Sequence, residues 1–129
     1  MGLDMYLTRS SKNGGLGEEV AYWRKANWLH GWFVNQLAGG KDECQPIPVS
    51  KQDLEELLTS INKVLDETDQ KKREELAMLL LPPTSGFFFG SYDLDKYYWN
   101  TLASIKDTVE EILEETNFFT QDITYQASW

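Results

Sequence analysis

Apolar and polar residues alternate at both ends of the chain. Leu3, Met5 and Leu7 share one side of the segment 3–9, and polar or amphipathic side chains stand between them. The segment 122–129 alternates in the same way. A period of two places successive side chains on opposite faces of a sheet, so both segments are predicted to be half-buried strands. We expect these two terminal strands to pair with each other.

The interior of the chain carries helical spacing instead. Ser50 and Asp53 resemble a capping box, and the apolar residues after them recur every three or four positions. Gly39–Gly40 and Pro82–Pro83 supply stop signals for two helices. The predicted helices are 18–37, Ser50 to about Leu65, about 70–80, and 93–116.

Terminal strands with helices between them favour one architecture. The predicted fold class is α+β, with a small antiparallel sheet that includes the N- and C-terminal strands and is covered by three to four helices. Phe87–Phe89 is a candidate third strand, and Pro46 and Pro48 limit any strand near them to a sheet edge. We expect residues 1–129 to form a single domain.

The charge of the chain restricts the classes of molecule that it is expected to bind. Twelve Lys and Arg against 21 Asp and Glu give a formal net charge of −9. Such a chain is repelled by phosphate backbones and by anionic lipid, so neither direct nucleic-acid binding nor membrane binding is expected. One cysteine excludes an intramolecular disulfide, and no apolar run approaches the ~20 residues that span a bilayer. We therefore expect a soluble cytoplasmic protein whose acidity serves solubility, a basic partner or imitation of nucleic acid.

The predicted helix over 18–37 has the most unusual side chains. At 100° per residue, the predicted core face is formed by Tyr22, Ala26, Leu29, Phe33 and Leu37. Arg24, Trp28 and Trp32 lie on the side away from the core, with Lys25 beside them. One interpretation is a helix buried nearly all round. Another is an aromatic and cationic surface, on which Trp23 or Trp28 stacks on a base while Arg24 and Lys25 meet phosphate. A third is a homodimer that uses Trp28 and Trp32.

His30 is the only histidine of the chain. Its ordinary pKa lies near neutrality, so it is a candidate general base, although a hydrogen-bonded structural role is the competing interpretation. No Cys or His lies at metal-ligand spacing from it, so no metal site is expected. No catalytic motif accompanies it, and we expect no cofactor.

Two further features are candidate ligand contacts. Asp4 and Tyr6 lie on the polar side of the first strand, and Tyr125 with Ser128 or Trp129 lies on the last. If these strands pair, they form a polar and aromatic floor for a ligand held under the first helix, unless they are ordinary cross-strand pairs. Ser85 and the Gly86 amide precede the aromatic run and are suited to an anion. The competing interpretation is a buried strand entered through a tight turn.

The last predicted helix ends in a group of carboxylates that oppose the helix dipole. They form either a solvated face, partly balanced by Lys106, or a surface for a basic partner. They are Glu110, Glu111, Glu114 and Glu115.

Several short motifs act as a set: Met1-Gly2-Leu3-Asp4-Met5-Tyr6, Tyr22-Trp23-Arg24-Lys25, Leu81-Pro82, Ser85-Gly86-Phe87-Phe88-Phe89-Gly90 and Tyr125-x-x-Ser128-Trp129. Over its whole length the chain resembles a family of small phage and prophage proteins. Some members are labelled phosphoglycerate kinase, an enzyme that closes two domains over its substrates, whereas this chain has residues for one. The resemblance implies a phage accessory protein, of a kind that often captures a nucleotide signal of host defence or blocks a defence protein.

Three functions follow as hypotheses. The first is a non-catalytic binder of a small anionic, nucleotide-like ligand, which counters host defence by sequestration in the bacterial cytoplasm. The second is an acidic inhibitor of a host defence protein, anti-CRISPR-like or a nucleic-acid mimic, and the third is a small enzyme on a nucleotide or sugar phosphate with His30 or Asp4 as base. The candidate ligand contacts are Tyr6, Trp23, Arg24, Lys25, Trp28, His30, Ser85, Gly86, Tyr125 and Trp129; the candidate partner contacts are Trp32, Glu110, Glu111, Glu114 and Glu115.

Overall fold

The computed structural model describes residues 2–83 and 94–129, so the predicted strand at Phe87–Phe89 lies outside the described residues. Within these ranges the chain forms four strands and four helices. They are β1 (Asp4–Ser11), β2 (Glu18–Arg24), α1 (Asn27–Leu37), β3 (Ile47–Val49), α2 (Lys51–Asp66), α3 (Gln70–Leu80), α4 (Lys96–Glu115) and β4 (Gln121–Ser128). None of these helices is both long and apolar enough to cross a bilayer.

The strands form one antiparallel sheet in the order β2-β1-β4-β3. β1 and β4 pair along their whole length, with Asp4 opposite Ser128 and Ser11 opposite Gln121. The predicted pairing of the terminal strands and the α+β fold class are therefore confirmed. β3 is an edge strand and contains Pro48, the position that sequence limits to an edge.

Alternation along the strands gives the sheet two different faces. Leu3, Met5 and Leu7 are fully buried and join the side chains of α1, α2 and α4 in one core cluster. On the opposite face, which we call the open face, the side chains are half-buried or exposed. Open-face residues include Asp4, Tyr6, Thr8, Tyr22, Arg24, Thr124, Gln126 and Ser128.

α2 shows why the helical spacing was informative. The Ser50 hydroxyl accepts a hydrogen bond from the Asp53 N–H at 3.0 Å, and the Asp53 carboxylate accepts one from the Ser50 N–H at 2.9 Å. The predicted capping box is thus present and satisfies two amides that the helix itself leaves free. α2 packs against α3 and α4, and its buried side chains are Leu54, Leu57, Ile61 and Val64.

The predicted helix over 18–37 is wrong in its first half. Residues 18–24 form β2, in which Ala21 and Trp23 face the core while Tyr22 and Arg24 face out. This is a period of two, and the flexible hairpin loop before it lets β2 fold back on β1. Lys25, with a φ of 57°, turns the chain between strand and helix.

The second half of that segment is α1, which is buried nearly all round. Every residue from Asn27 to Val34 is buried. The far-side group predicted from helical spacing therefore does not exist, because Arg24 belongs to a strand and Trp28 and Trp32 lie in the interior. The predicted glycine stop is confirmed: Gly39 has a φ of 63°, and the Gly40 N–H donates to the Val34 carbonyl at 2.9 Å.

The capping box generates a stability prediction. Replacing Ser50 with Ala removes the acceptor for the Asp53 N–H, so we expect the free energy of unfolding to fall by about 1 kcal/mol. Urea denaturation followed by circular dichroism measures this change. Ser104→Ala, an exposed substitution in the middle of α4, is the matched control and should leave stability unchanged or slightly raised. Equal effects of the two substitutions would contradict the capping role.

Candidate functional site

Four side chains meet on the open face where β1 and β2 run side by side. Asp4 lies opposite Arg24, and Tyr6 lies opposite Tyr22. The two tyrosine rings are 5.3 Å apart between centroids and tilted by 46°. We call these four residues the open-face cluster. A solvent-facing aromatic pair next to a guanidinium offers both stacking and bidentate hydrogen bonding.

Asp4 organises the open-face cluster. Its Oδ1 accepts a hydrogen bond from the Tyr22 hydroxyl at 2.6 Å and lies 3.8 Å from Arg24 Nε. The hydrogen bond to Asp4 is the main cause that raises the pKa of Tyr22, so this hydroxyl stays a donor over the ordinary pH range. The Arg24 side chain remains 57% exposed, and its terminal nitrogens are accessible to a ligand.

Two neighbours of Arg24 shape this end of the sheet. Lys25 follows it and is exposed, and its own N–H donates to the Leu3 carbonyl at 2.8 Å. Gly2 lies under the guanidinium: a Cβ at this position would stand 3.4 Å from Arg24 Nη2, and the φ of Gly2 is 145°. Any larger residue would be strained there and would press on Arg24.

A groove of about 350 Å³ continues the open face beside Tyr6. Its other lining residues are Thr8, Cys44, Gln126, Ala127 and Ser128. Gln126 closes one side by donating from its amide to the Cys44 carbonyl at 2.9 Å. This volume is at the lower end of the range, about 300–1,000 Å³, that small-molecule sites occupy.

A second polar group lies beneath the sheet, around His30. His30 Nδ1 is 2.7 Å from the Tyr125 hydroxyl, and His30 Nε2 is 2.9 Å from Asp42 Oδ2. The other oxygen of Asp42 accepts a hydrogen bond from Trp129 Nε1 at 3.2 Å. We call these four residues the His30 network. It joins α1, the loop after it and the end of β4.

The partners fix the roles of the ring nitrogens. A carboxylate only accepts, so Nε2 carries a proton toward Asp42, and in the neutral ring Nδ1 accepts from the Tyr125 hydroxyl. An Asp-oriented histidine beside a hydroxyl has the order of a nucleophilic triad. Here, however, the hydroxyl belongs to Tyr125, which is 1% exposed, and burial raises its pKa far above the ordinary value. The arrangement supports the structural interpretation of His30, because the residue that carries the hydroxyl is buried.

The remaining tryptophans predicted as contacts are in the core. Trp23 faces inward from β2, and Trp28 packs on Tyr98 with the ring centroids 4.5 Å apart. Trp32 is also buried, against Phe33, so a homodimer through Trp28 and Trp32 has no surface to use. The far-side tryptophans are explained by burial alone.

The structure thus divides the predicted contacts into two groups. Tyr6 and Arg24 come together on the open face with Lys25 next to them, while His30, Tyr125 and Trp129 come together in the His30 network. The predicted floor is confirmed in part: Asp4, Tyr6 and Ser128 lie on the open face, whereas Tyr125 faces the core on the opposite side of the sheet. Ser85 and Gly86 lie outside the described residues.

The predicted partner surface lies at the end of α4. All four of its glutamates are exposed, and one of them, Glu110, makes an ion pair with Lys106 at 3.8 Å. Trp32, the fifth predicted partner contact, is buried and is therefore not part of this surface. The four are Glu110, Glu111, Glu114 and Glu115.

Sequence reasoning missed two residues of these sites. Tyr22 was assigned to a helical core face, although its alternation with Ala21 and Trp23 was the available signal. No sequence signal points to Asp42, because it lies in a loop and its role depends on contacts with His30 and Trp129. Among the described residues, no three His, Cys, Asp or Glu side chains are grouped to hold a metal ion.

Comparison with known proteins adds no relative: no family model, no curated protein sequence and no solved structure matches the chain.

The His30 network generates a second stability prediction. Tyr125→Phe removes the hydroxyl that donates to buried His30 Nδ1, so we expect the free energy of unfolding to fall by about 1–3 kcal/mol. Tyr22→Phe removes a hydroxyl from an exposed ring and should change it by less than about 0.5 kcal/mol. Parallel chemical denaturation of both variants and the parent protein measures the difference. A Tyr125→Phe variant as stable as the parent would contradict the network.

Buried tyrosines generate a pH prediction. Burial raises the pKa of Tyr98 and of Tyr125 well above the value of 10.0 that an exposed tyrosine has. Above that pH the unfolded chain loses these protons while the folded chain keeps them, so stability should be full below about pH 10 and fall as pH rises further. Urea midpoints at pH 9, 10 and 11 measure the loss. Tyr98→Phe should flatten the decline, and an unchanged slope in that variant would contradict the assignment.

Proposed function

We propose that this protein is a non-catalytic binder of a small anionic, nucleotide-like ligand, held on the open face of its sheet. The observation that carries the proposal is the open-face cluster, in which the Tyr6–Tyr22 pair stands beside Arg24. A nucleobase stacks on an aromatic ring, and a guanidinium is the side chain best matched to phosphate. The groove of about 350 Å³ beside Tyr6 offers room for the rest of a small ligand.

Electrostatics support an anionic ligand at this position. Arg24 and Lys25 are two exposed cations, and Asp4 is the single carboxylate of the cluster. The local charge is therefore positive on a chain whose formal net charge is −9. Asp4 also orients the Tyr22 hydroxyl and Arg24 before a ligand arrives, which reduces the ordering that binding requires.

The non-catalytic part of the proposal rests on the His30 network. Both ring nitrogens of His30 already have hydrogen-bond partners, and Tyr125 remains protonated because it is buried. Neither group is available as a base to a ligand on the open face. The resemblance to phage and prophage proteins supplies a purpose for simple capture, which is sequestration of a nucleotide signal used in host defence.

A second candidate function is inhibition of a host defence protein through the acidic end of α4. The observation that favours it is that Glu111, Glu114 and Glu115 are exposed and make no ion pair among the described residues. Unpaired surface charges of one sign speed association with an oppositely charged partner, and salt weakens the effect. Ligand capture on the open face does not depend on these glutamates, so Glu114→Gln separates the two functions.

Nucleotide titration tests the first function. Adenosine and guanosine monophosphates and a cyclic dinucleotide are titrated into the full chain, and binding is followed by calorimetry and by NMR of backbone amides. We expect shifts centred on Tyr6, Tyr22 and Arg24 for at least one of these probes. Arg24→Ala should weaken binding roughly 10- to 100-fold, the effect of losing a charge-assisted hydrogen bond of about 1.5–3 kcal/mol.

Two variants control this experiment. Lys63→Ala removes one positive charge from an exposed position on α2 and should leave the affinity unchanged. Arg24→Lys keeps the charge but loses the planar fork, so its affinity should lie between those of the parent and Arg24→Ala. Binding that survives Arg24→Ala in a folded protein would exclude this site, and no response to any probe at millimolar concentration would exclude the ligand class.

A further inference from the structure

Two loops lie together at one end of the sheet, and each exposes a large apolar side chain. The loop after β1 and the loop before β4 are joined by the Lys12 N–H, which donates to the Thr120 carbonyl at 2.9 Å. Leu16 in the first loop is fully exposed, and Phe119 in the second is 93% exposed. A single exposed apolar residue is ordinary, whereas two on loops joined by a hydrogen bond mark this end of the sheet as suited to contact.

Hydrogen bonds hold Phe119 in its outward position. The Phe119 N–H donates to the Asn117 side-chain oxygen at 3.0 Å, and the N–H groups of Thr120 and Gln121 donate to the Asn117 carbonyl at 3.1 and 2.8 Å. The Gln121 side chain in turn accepts from the Asn117 N–H at 2.9 Å. The turn is thus ordered in itself, and a partner that covers Phe119 does not have to order it.

A groove of about 570 Å³ opens directly beside this turn. Phe118, the residue before Phe119, lines it together with Pro48, Val49 and Ile123. The other lining residues are polar or charged: Lys12, Ser50, Lys51, Asp53, Gln121, Asp122 and Thr124. A protruding phenylalanine and a groove of mixed character, with four apolar side chains, therefore lie side by side on one surface. In a dimer with a two-fold axis both copies use the same surface, so that surface must be complementary to itself. A protrusion beside a groove meets this requirement.

In the part of the chain that the structure describes, the unpaired charges in the groove and near Phe119 are of opposite sign. Lys51 lines the groove and makes no ion pair among the described residues, while Glu115 ends α4 four residues before Phe119 and is likewise unpaired there. The other charged groove residues are engaged: Lys12 pairs with Asp122 at 2.7 Å, and Asp53 belongs to the capping box. If two copies insert Phe119 into each other's groove, Lys51 of one copy is brought toward Glu115 of the other.

We propose that two copies of this chain associate about a two-fold axis, each inserting Phe119 into the groove of the other. Insertion removes an aromatic side chain from water and packs it against the apolar side chains of the groove, and reciprocal Lys51–Glu115 contacts fix the register. The surface is independent of the proposed ligand site. It lies at the end of β4 where Gln121 begins the strand, whereas Arg24 lies beside the opposite end of the strands, about 23 Å away at 3.3 Å per residue.

Analytical ultracentrifugation of the full chain tests the proposal. The weight-average mass should rise from 14.9 kDa toward twice that value as the protein concentration increases from about 10 µM to about 1 mM. Phe119→Ser should raise the dissociation constant of the dimer at least tenfold. Leu79→Ser, which removes another largely exposed apolar side chain on α3, is the matched control and should leave that constant unchanged.

Charge exchange identifies the register. Lys51→Glu places a carboxylate in the first turn of α2, where the helix dipole favours it, so the fold is not endangered. This variant should weaken association, and the double variant Lys51→Glu with Glu115→Lys should restore it. A chain that stays monomeric at about 1 mM, or a dimer indifferent to Phe119→Ser, would overturn the proposal. Nucleotide binding by Phe119→Ser reports separately on the open-face cluster.

Discussion

Eight consecutive residue pairs join β1 to β4, and they bring Asp4 beside Ser128 from opposite ends of the chain. This pairing places β1 between β2 and β4 in the sheet. The four helices α1 to α4 lie between β1 and β4 in the sequence. A shift of one residue would carry Leu3, Met5 and Leu7 from the core to the open face. The register of this one pairing therefore determines both what is buried and what is presented to a ligand.

β4 also fixes the loop between α1 and β3 from both of its faces. Tyr125 points inward to His30, which holds Asp42 of the loop, while Gln126 points outward and binds the Cys44 carbonyl. The His30 network and the groove on the open face are thus opposite sides of the same strand. Buried His30 therefore helps to keep this loop in place and so contributes to the shape of the open face.

Much of this fold is readable from the sequence because most elements carry one uninterrupted period. β4, α2 and α4 each keep a single spacing over their length, and β1 keeps one as far as Leu7. The observed bounds of these elements and of α3 lie within a few residues of those predicted. The segment 18–37 contains two periods in succession with no capping residue between them, since Ala26 offers no side-chain acceptor to α1. A helix over the whole segment would place Arg24 and Trp28 on the same side, whereas in the structure Arg24 ends β2 and Trp28 lies in α1.

The candidate site was harder to predict for a related reason. The sequence predicts Tyr6 and Arg24 as separate candidate contacts. They lie close together because β1 and β2 form a hairpin, and a helix over 18–37 would exclude that hairpin. The His30 network depends on contacts that span 12 and 95 positions of the chain. No local spacing encodes such contacts, because they follow from the sheet order and from the path of a loop.

The charge distribution sets a limit on the size of any ligand at the open face. At physiological ionic strength a charge acts over about 8 Å, so Arg24 and Lys25 govern the potential only in their own neighbourhood. Beyond it a ligand meets the field of a chain with a net charge of −9. For the ligand class proposed above, a mononucleotide would lie inside the favourable region, whereas a nucleic-acid strand would extend past it and add repulsion with every further phosphate. The acidity of the chain is therefore consistent with the proposal of a small anion and opposes a longer one.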